Sequence, residues 1–365
     1  MPENNIQSTN QNKSTNNQSS IHQLQHCMKK ILIIQTAFIG DVVLSACLIE
    51  KLHAFFPVAQ IDFLLRKGNE GLLKAHPYLN EVLIWDKKNG KYKTLWRLLR
   101  VIRKKRYDKV INVQRFGATG LLTAFSNAKQ KIGFDKNPFS PAFDISVKHS
   151  MGNGAATPHE LERNLSLIQS FTDNTIYKPR LYPSQQDWDA VQPLKSLPYI
   201  CVAPASVWFT KQYPADKWIS FIDKLPAHYI VYLLGAPGEA RLCEEIQQKA
   251  KRENIISLAG QLNFLQSAAL MKDATMNYVN DSAPMHFASA MNAPVTAVYC
   301  STIPAFGYGP LSDKKYIVEI QDPLYCRPCG LHGFRQCPEG HFKCAYLIKD
   351  EQLLETLMNV ENAEA

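Results

Sequence analysis

The sequence predicts an α/β protein built from two Rossmann-like halves, each a parallel sheet with helices on both faces. Three observations point there. Short apolar strands alternate with helical stretches along most of the chain, the alternation halts once in a proline-rich stretch, and it then starts again.

Residues 31–35 read as the first strand, 36–41 as a loop, and 42–55 as an apolar helix ended by Pro57. Strands follow at 61–65, 81–85 and 109–113, with a short helix over 71–75 and a basic helix before the fourth strand. A helix over 121–127 and a strand over 130–134 continue the pattern. Residues 136–157 carry several Gly and Pro and read as loop, and 159–172 form a patterned helix with Leu161, Leu165 and Ile168 on one face. From Pro179 to Pro198 the chain holds four prolines and no clear strand, which places an inter-domain linker there. The second series then runs strand 199–203, helix 216–224, strand 229–234, helix 238–252, strand 255–257 and helix 264–272. It ends with a strand, turn, helix and strand over 275–301. The implied domains are 28–180 and 199–348, with a closing helix and tail over 349–365 that can pack back on the first half. Residues 1–27 are rich in Asn, Gln and Ser and lack an apolar signal-peptide core, so they read as a disordered tail.

With 365 residues the chain can bury two full cores, and 45% hydrophobic with 20% charged residues is the balance of a globular protein. No apolar run approaches the ~20 residues that cross a bilayer, so a cytoplasmic location is expected. The net charge of +9 is unevenly placed: eleven Lys or Arg and one acid, Asp108, lie between Lys87 and Lys109. Leu95, Leu98, Leu99 and Ile102 mark one helical face of that stretch, and Lys93, Arg97, Arg100 and Lys104 line the other. Such a face is either simply solvated or a surface for an anionic membrane or a phosphorylated substrate. No recognition motif or aromatic-interleaved basic strand accompanies the charge, which disfavours nucleic acid.

Neither first strand is followed by G-x-G-x-x-G, and there is no Walker-A run, which disfavours a dinucleotide-dependent dehydrogenase and a P-loop enzyme. Four other patterns stand at strand ends. Gly40-Asp41 offers a carboxylate at the first sheet's edge. The loop from Pro204 to Trp218 brings Thr210 and Lys211 just ahead of a helix. Gly235-Ala-Pro-Gly-Glu239 follows another strand, and Asp281-Ser282…His286 opens the helix after the strand at 276–279. A helix that opens from a strand end directs its N–H groups and positive dipole end at the crevice above a parallel sheet, where a phosphate can be held without a metal. Each pattern alone also fits a helix cap or a solvated loop. In this order across two halves they form a constellation.

At these residues the chain resembles glycosyltransferase family 9, the bacterial ADP-heptose:lipopolysaccharide heptosyltransferases. The matching stretches are IGDVVLSACLIEKL, APASVWFTKQYPADKW, LLGAPGE and NDSAPMHFASAMNAPVTAVYCST…GYGP, and the resemblance covers about residues 29–350. It implies a GT-B fold, with two facing Rossmann-like domains and the site between them. It also implies metal-independent, inverting transfer of a heptose from ADP-heptose to the lipopolysaccharide inner core. Asp41 matches the family's base, Thr210 and Lys211 the residues at the donor phosphates, and Glu239 the acid on the ribose. Asp281 matches the acid at the sugar hydroxyls, Ser282 the phosphate-binding turn, and His286 follows at the family spacing. At Ala283-Pro284 the chain departs from the family's more usual Gly and non-proline. The resemblance also gives the basic stretch a partner, the phosphorylated lipid A–core acceptor at the inner face of the cytoplasmic membrane. Lys87, Lys88, Arg97 and Arg100 are the expected contacts. No cofactor is implied.

Nine cysteines remain. Cys326, Cys329, Cys337 and Cys344 are spaced C-x₂-C-x₇-C-x₆-C, which permits a structural zinc site and equally fits packed or free thiols. Cys27, Cys47, Cys201, Cys243 and Cys300 fall in or beside apolar segments and read as core. Two other functions share the architecture, a GT-B transferase using another nucleotide sugar and a nucleotide-binding module with a degenerate site. The joint presence of Asp41, Lys211, Glu239 and Asp281 speaks against the second.

Overall fold

The structure, a computed structural model, describes residues 30–150 and 157–363. The tail expected over 1–27 lies outside the described residues, as do residues 151–156 of the expected 136–157 loop. The first half holds strands β1 (Lys30–Ile34), β2 (Gln60–Arg66), β3 (Leu79–Trp85), β4 (Lys109–Asn112), β5 (Gln130–Phe134) and β6 (Ile145–Val147). Between them run helices α1 (Ile39–Phe55), α2 (Lys91–Lys105) and α3 (Gly117–Ala124), and α4 (Glu160–Ser166) follows. All six strands are parallel in the order β3-β2-β1-β4-β5-β6. Ile33 of β1 lies opposite Phe63 on one side and Ile111 on the other, all three fully buried.

The second half repeats the plan. Its strands are β7 (Tyr199–Ala203), β8 (Ile230–Leu233), β9 (Ile255–Ser257), β10 (Met276–Asn280), β11 (Val295–Tyr299) and β12 (Lys315–Glu319), in the order β12-β11-β10-β7-β8-β9. Counted from its own first strand, this is the order of the first half: strands one and four are central neighbours, and the chain reverses direction across the sheet between them. In an open parallel sheet that switch point leaves a crevice outside the strands' carboxyl ends, which is where ligands bind. Here the two switch points lie at the ends of β1/β4 and β7/β10. Loops, α6 (Ala215–Lys224), α7 (Ala240–Lys249), α8 (Phe264–Lys272) and α9 (Ala283–Met291) connect these strands.

Several boundaries differ from the sequence expectations, each for a physical reason. Helix α1 begins at Ile39, so Gly40 and Asp41 stand in its first turn and not in a preceding loop. No polar N-cap marks that start; the Asp41 carboxylate turns back and accepts the Phe38 N–H at 3.0 Å. The expected loop over 136–157 supplies the edge strand β6, whose three residues are too few to show a period. The expected linker holds helix α5 (Gln185–Val191), capped by Ser184, and α5 packs on α8 of the second half. The edge strand β12 escapes detection because it is short, has the charged Lys315 and Glu319 at its two ends, and buries only Val318 at the sheet's margin.

The closing helix α11 (Asp350–Asn362), which follows the short α10 (Lys343–Tyr346), packs on the second half, not back on the first. The Tyr278 hydroxyl of β10 donates to the Leu353 carbonyl at 2.9 Å, Thr296 and Thr356 bond at 2.8 Å, and Ser220 of α6 donates to Asp350 at 2.5 Å. Leu353, Leu357 and Val360 complete the apolar layer formed by Phe221, Tyr278 and Val298. Deleting the buried Leu357 side chain by Leu357→Ala should therefore cost about 2–5 kcal/mol of stability. Urea unfolding measures this, and a loss below ~1 kcal/mol would mean α11 is not part of that core.

Candidate active site

The two halves meet where α1 packs against α9. Gly40 lies so close to His286 that a Cβ on it would stand 2.7 Å from the imidazole ring. His286 is 6% exposed, and burial pushes its pKa down to about 3, so the ring at this seam is neutral. Around the seam a cleft of about 290 Å³ opens between the halves. One wall is the first turn of α1 with Phe38, Asp41 and Leu44, joined by Arg66 from the end of β2. The facing wall is Ser206–Trp208, Lys211, Asp281–Ala283 and His286, with Ile303, Phe306 and Tyr308 from the loop after β11 and Leu331 and His332 from the cysteine-rich segment.

Asp41 is the carboxylate of the first wall. Burial raises its pKa to about 6, helped by the negative charge of Glu160; the Phe38 N–H and Arg66 work in the opposite direction. Glu160 is itself buried and held by Arg163 at 2.6 Å, and the Arg163 guanidinium lies 5.3 Å from the centre of the Tyr308 ring. The half-buried Arg66 guanidinium sits 4.9 Å from the centre of the Phe38 ring. Beside it, Lys87 donates to the Thr36 carbonyl at 2.7 Å, and burial together with Arg66 and Lys91 pulls its pKa down to about 8.

On the second wall the Lys211 ammonium pairs with Asp281 at 2.7 Å, and Asp281 also accepts the Thr302 hydroxyl at 2.6 Å. The loop carrying Lys211 is fixed by Asn280, the last residue of β10. Its side chain accepts the Tyr213 N–H at 2.9 Å and donates to the Pro204 carbonyl at 2.8 Å. Ser282 occupies the N-cap position of α9 without making a side-chain cap, and Pro284 stands in the first turn, where its missing N–H breaks no intrahelical bond.

The structure thus gathers Asp41, Lys211, Asp281, Ser282 and His286 around one cleft. Thr210 stands behind its wall, 1% exposed: its hydroxyl accepts the Phe334 N–H at 2.7 Å and bonds Ser301 at 3.0 Å. Glu239 lies after β8, where its carboxylate accepts the Ala236 N–H at 2.7 Å. Lys87 is not among the residues lining the cleft but stands behind it on Thr36 near Arg66, Lys88 is exposed beside it, and Arg97 and Arg100 sit on the outer face of α2. The sequence reading missed Arg66, Glu160, Tyr308 and His332. Arg66 had a signal, a charge closing the apolar run Phe63–Leu65 at the sheet's carboxyl edge. Tyr308 and His332 reach the cleft, and Glu160 the surroundings of Asp41, through tertiary folding alone.

The four clustered cysteines line a second cavity of about 270 Å³ behind Thr210, with Ser301 and Phe342. None of them is in a disulfide, and burial pushes the Cys344 thiol up to about 12. Among the described residues no three His, Cys, Asp or Glu side chains are grouped to hold a metal, so the geometry gives the zinc reading no support. Cys47, Cys201, Cys243 and Cys300 are buried in the cores, and Cys27 lies outside the described residues.

Two facing doubly wound domains with a cleft between their switch points have the architecture of the GT-B class. The chain belongs to glycosyltransferase family 9 (heptosyltransferase), whose family model matches residues 95–335. It is 27% identical over 281 residues to lipopolysaccharide heptosyltransferase 3 of Escherichia coli, covering 73% of this chain and 82% of that protein. It is 25% identical over 350 residues to lipopolysaccharide heptosyltransferase 2 of Escherichia coli K12, covering 90% of this chain and 97% of that one. The solved E. coli ADP-heptose lps heptosyltransferase II shares the fold with a TM-score of 0.74 at 23% identity, covering 92% of this chain and all of that one.

Thr210 generates a test of what the rear of the wall does. Thr210→Val keeps the shape but leaves the Phe334 N–H without its acceptor, which should cost about 1–3 kcal/mol of stability. Thr210→Ser should be close to neutral. Equal stability of all three proteins in thermal unfolding would show that the hydroxyl does not clasp the cysteine-rich segment.

Proposed function

We propose that the protein transfers a heptose from ADP-heptose to a phosphorylated lipid A–core acceptor, with inversion at the anomeric carbon and without a metal ion. The observation that carries this reading is the opposition of Asp41, its pKa raised to about 6, to the Lys211–Asp281 pair across one cleft between two switch points. The names of the E. coli heptosyltransferases support the sugar and the acceptor class.

The acceptor hydroxyl attacks the anomeric carbon as the bond from that carbon to the diphosphate oxygen breaks on the opposite face. Asp41 accepts the hydroxyl proton, and a base with a pKa near 6 is ionised at neutral pH yet still basic enough for general-base work. The departing diphosphate gains negative charge, which Lys211 and the positive end of α9 neutralise in the place where other enzymes use a divalent ion. Asp281 holds the Lys211 ammonium at the cleft and has a free edge for a sugar hydroxyl. Glu239 follows β8, and the strand order β10-β7-β8 sets it two strands from Asp281. Glu239 is read as the acid for the ribose of the nucleoside, beside the diphosphate subsite at Lys211 and the start of α9. Arg66 and Lys87 stand on the acceptor side, ready for the acceptor's phosphate groups, with Lys88 beside them.

Asp41→Asn tests the assignment. Asn can still accept the Phe38 N–H, so the helix start survives, but it cannot take the proton; kcat should fall roughly 10²–10⁴-fold while affinity for the ADP-sugar stays unchanged. In the wild type kcat/KM should fall about tenfold per pH unit below a limb near 6, the ionised form being the active one. The linkage to stability has the opposite sense. The folded pKa lies above the unfolded one, so this group's stabilising contribution is present at low pH and lost as pH rises through about 6. Asp41→Asn should therefore be at least as stable as wild type at pH 8. Near-normal turnover of that variant would reduce Asp41 to a helix-start residue.

A further inference from the structure

Helix α2 buries Leu95, Leu98, Leu99 and Ile102 against the first sheet, so its inner face is fully used. Its outer face nevertheless displays two large aromatic side chains, Tyr92 at 72% and Trp96 at 55% exposure. They stand one turn apart, and Arg100 continues the same row. Lys93, Arg97, Arg100 and Lys104 fill the rest of this face, and no acidic residue occurs between Lys91 and Arg106.

The basic residues of the helix are sorted by whether they have a partner. Lys105 turns to the edge of the sheet and is neutralised by Asp62 at 2.7 Å and by Glu81. Among the described residues, Lys93, Arg97, Arg100 and Lys104 have no carboxylate within ion-pair distance. A helix merely solvated on its outer face has no use for exposed Trp and Tyr, and a single-strand binding site would set its aromatics in a groove. Here they lie at the border between the packed and the basic faces of a convex helix. Amphipathic rings beside Lys and Arg on a helix lying flat are what the headgroup layer of a bilayer accommodates.

We propose that the outer face of α2 docks the chain on an anionic lipid surface, with Tyr92 and Trp96 entering the headgroup layer and Lys93, Arg97, Arg100 and Lys104 meeting its negative charge. The start of α2 lies next to Lys87, which neighbours Arg66 and the acceptor wall, so docking brings the mouth of the cleft to the lipid. The link to a lipid-borne acceptor rests on the proposed transferase reading; the docking itself does not.

The test is co-sedimentation of the full chain with vesicles of phosphatidylcholine alone and of phosphatidylcholine mixed with phosphatidylglycerol, with ADP affinity measured on the same proteins. Binding to the anionic vesicles alone, weakened by added salt, is the expected result. The double variant Lys93→Glu/Lys104→Glu should bind at least roughly thirty-fold more weakly. Tyr92→Ser/Trp96→Ser should also lose binding, with charge unchanged. All four side chains are exposed, so melting temperature and ADP affinity should stay at wild-type values. Absence of binding to anionic vesicles, or wild-type binding by the aromatic variant, would overturn the proposal. The first result would leave α2 to an acidic protein or nucleic acid. Loss of ADP binding by the wild type would instead count against the transferase reading.

Discussion

The close approach of Gly40 to the His286 ring is the contact on which the rest of the site depends. It brings the first turn of α1 against α9 with no room for a side chain, and so fixes how the two switch points face each other. A charged imidazole at this seam would need a counter-ion or solvent, and burial keeps it neutral instead. With the seam set, Asp41 in the third position of α1 and Asp281 just before α9 fall on opposite walls of one cleft. The distance between chemistry-bearing groups is thus decided by a glycine that does no chemistry.

Charge around the cleft is arranged by compensation. The second wall pairs Lys211 with Asp281 and so holds its ammonium in place at the cleft. On the first wall burial, helped by the charge of Glu160, raises the proton affinity of Asp41 while the Phe38 N–H and Arg66 moderate it. Glu160 helps through the field alone, being itself bound to Arg163. A carboxylate surrounded this way is poised near neutrality, whereas one in a direct ion pair, such as Asp281, serves to hold a cation. The two aspartates thus differ in electrostatic setting because their neighbours differ.

Much of this was legible in the chain. The strands at 31–35, 61–65, 199–203, 276–279 and 295–299 declare themselves as apolar runs bounded by turn residues. The missing glycine fingerprint separates this plan from a dehydrogenase. Asp41, Lys211 and Asp281 could be named because each follows a strand end, where a doubly wound sheet puts its ligands. The partners that modify them were not legible. Tyr308 reaches the cleft, and the charge of Glu160 reaches Asp41, from distant segments, and the Thr210 hydroxyl is occupied by an N–H 124 residues away. The start of α1 was hidden because an apolar Phe38 stands where a polar cap would signal it. The closing helix offered its apolar face to either half, and hydrogen bonds from Tyr278 and Thr296, not periodicity, decide for the second.

A nucleotide-diphosphate site that works without a metal ion is what the cleft is read to be, and calorimetric titration of the full chain in buffer containing EDTA addresses it directly. ADP and UDP would be titrated separately into the wild type. Saturable binding of ADP at one site, tighter than UDP, is the expected result. Tight binding of UDP with no heat from ADP would contradict the heptosyltransferase reading, and ADP binding that required added Mg²⁺ would contradict the role given to Lys211 and the start of α9.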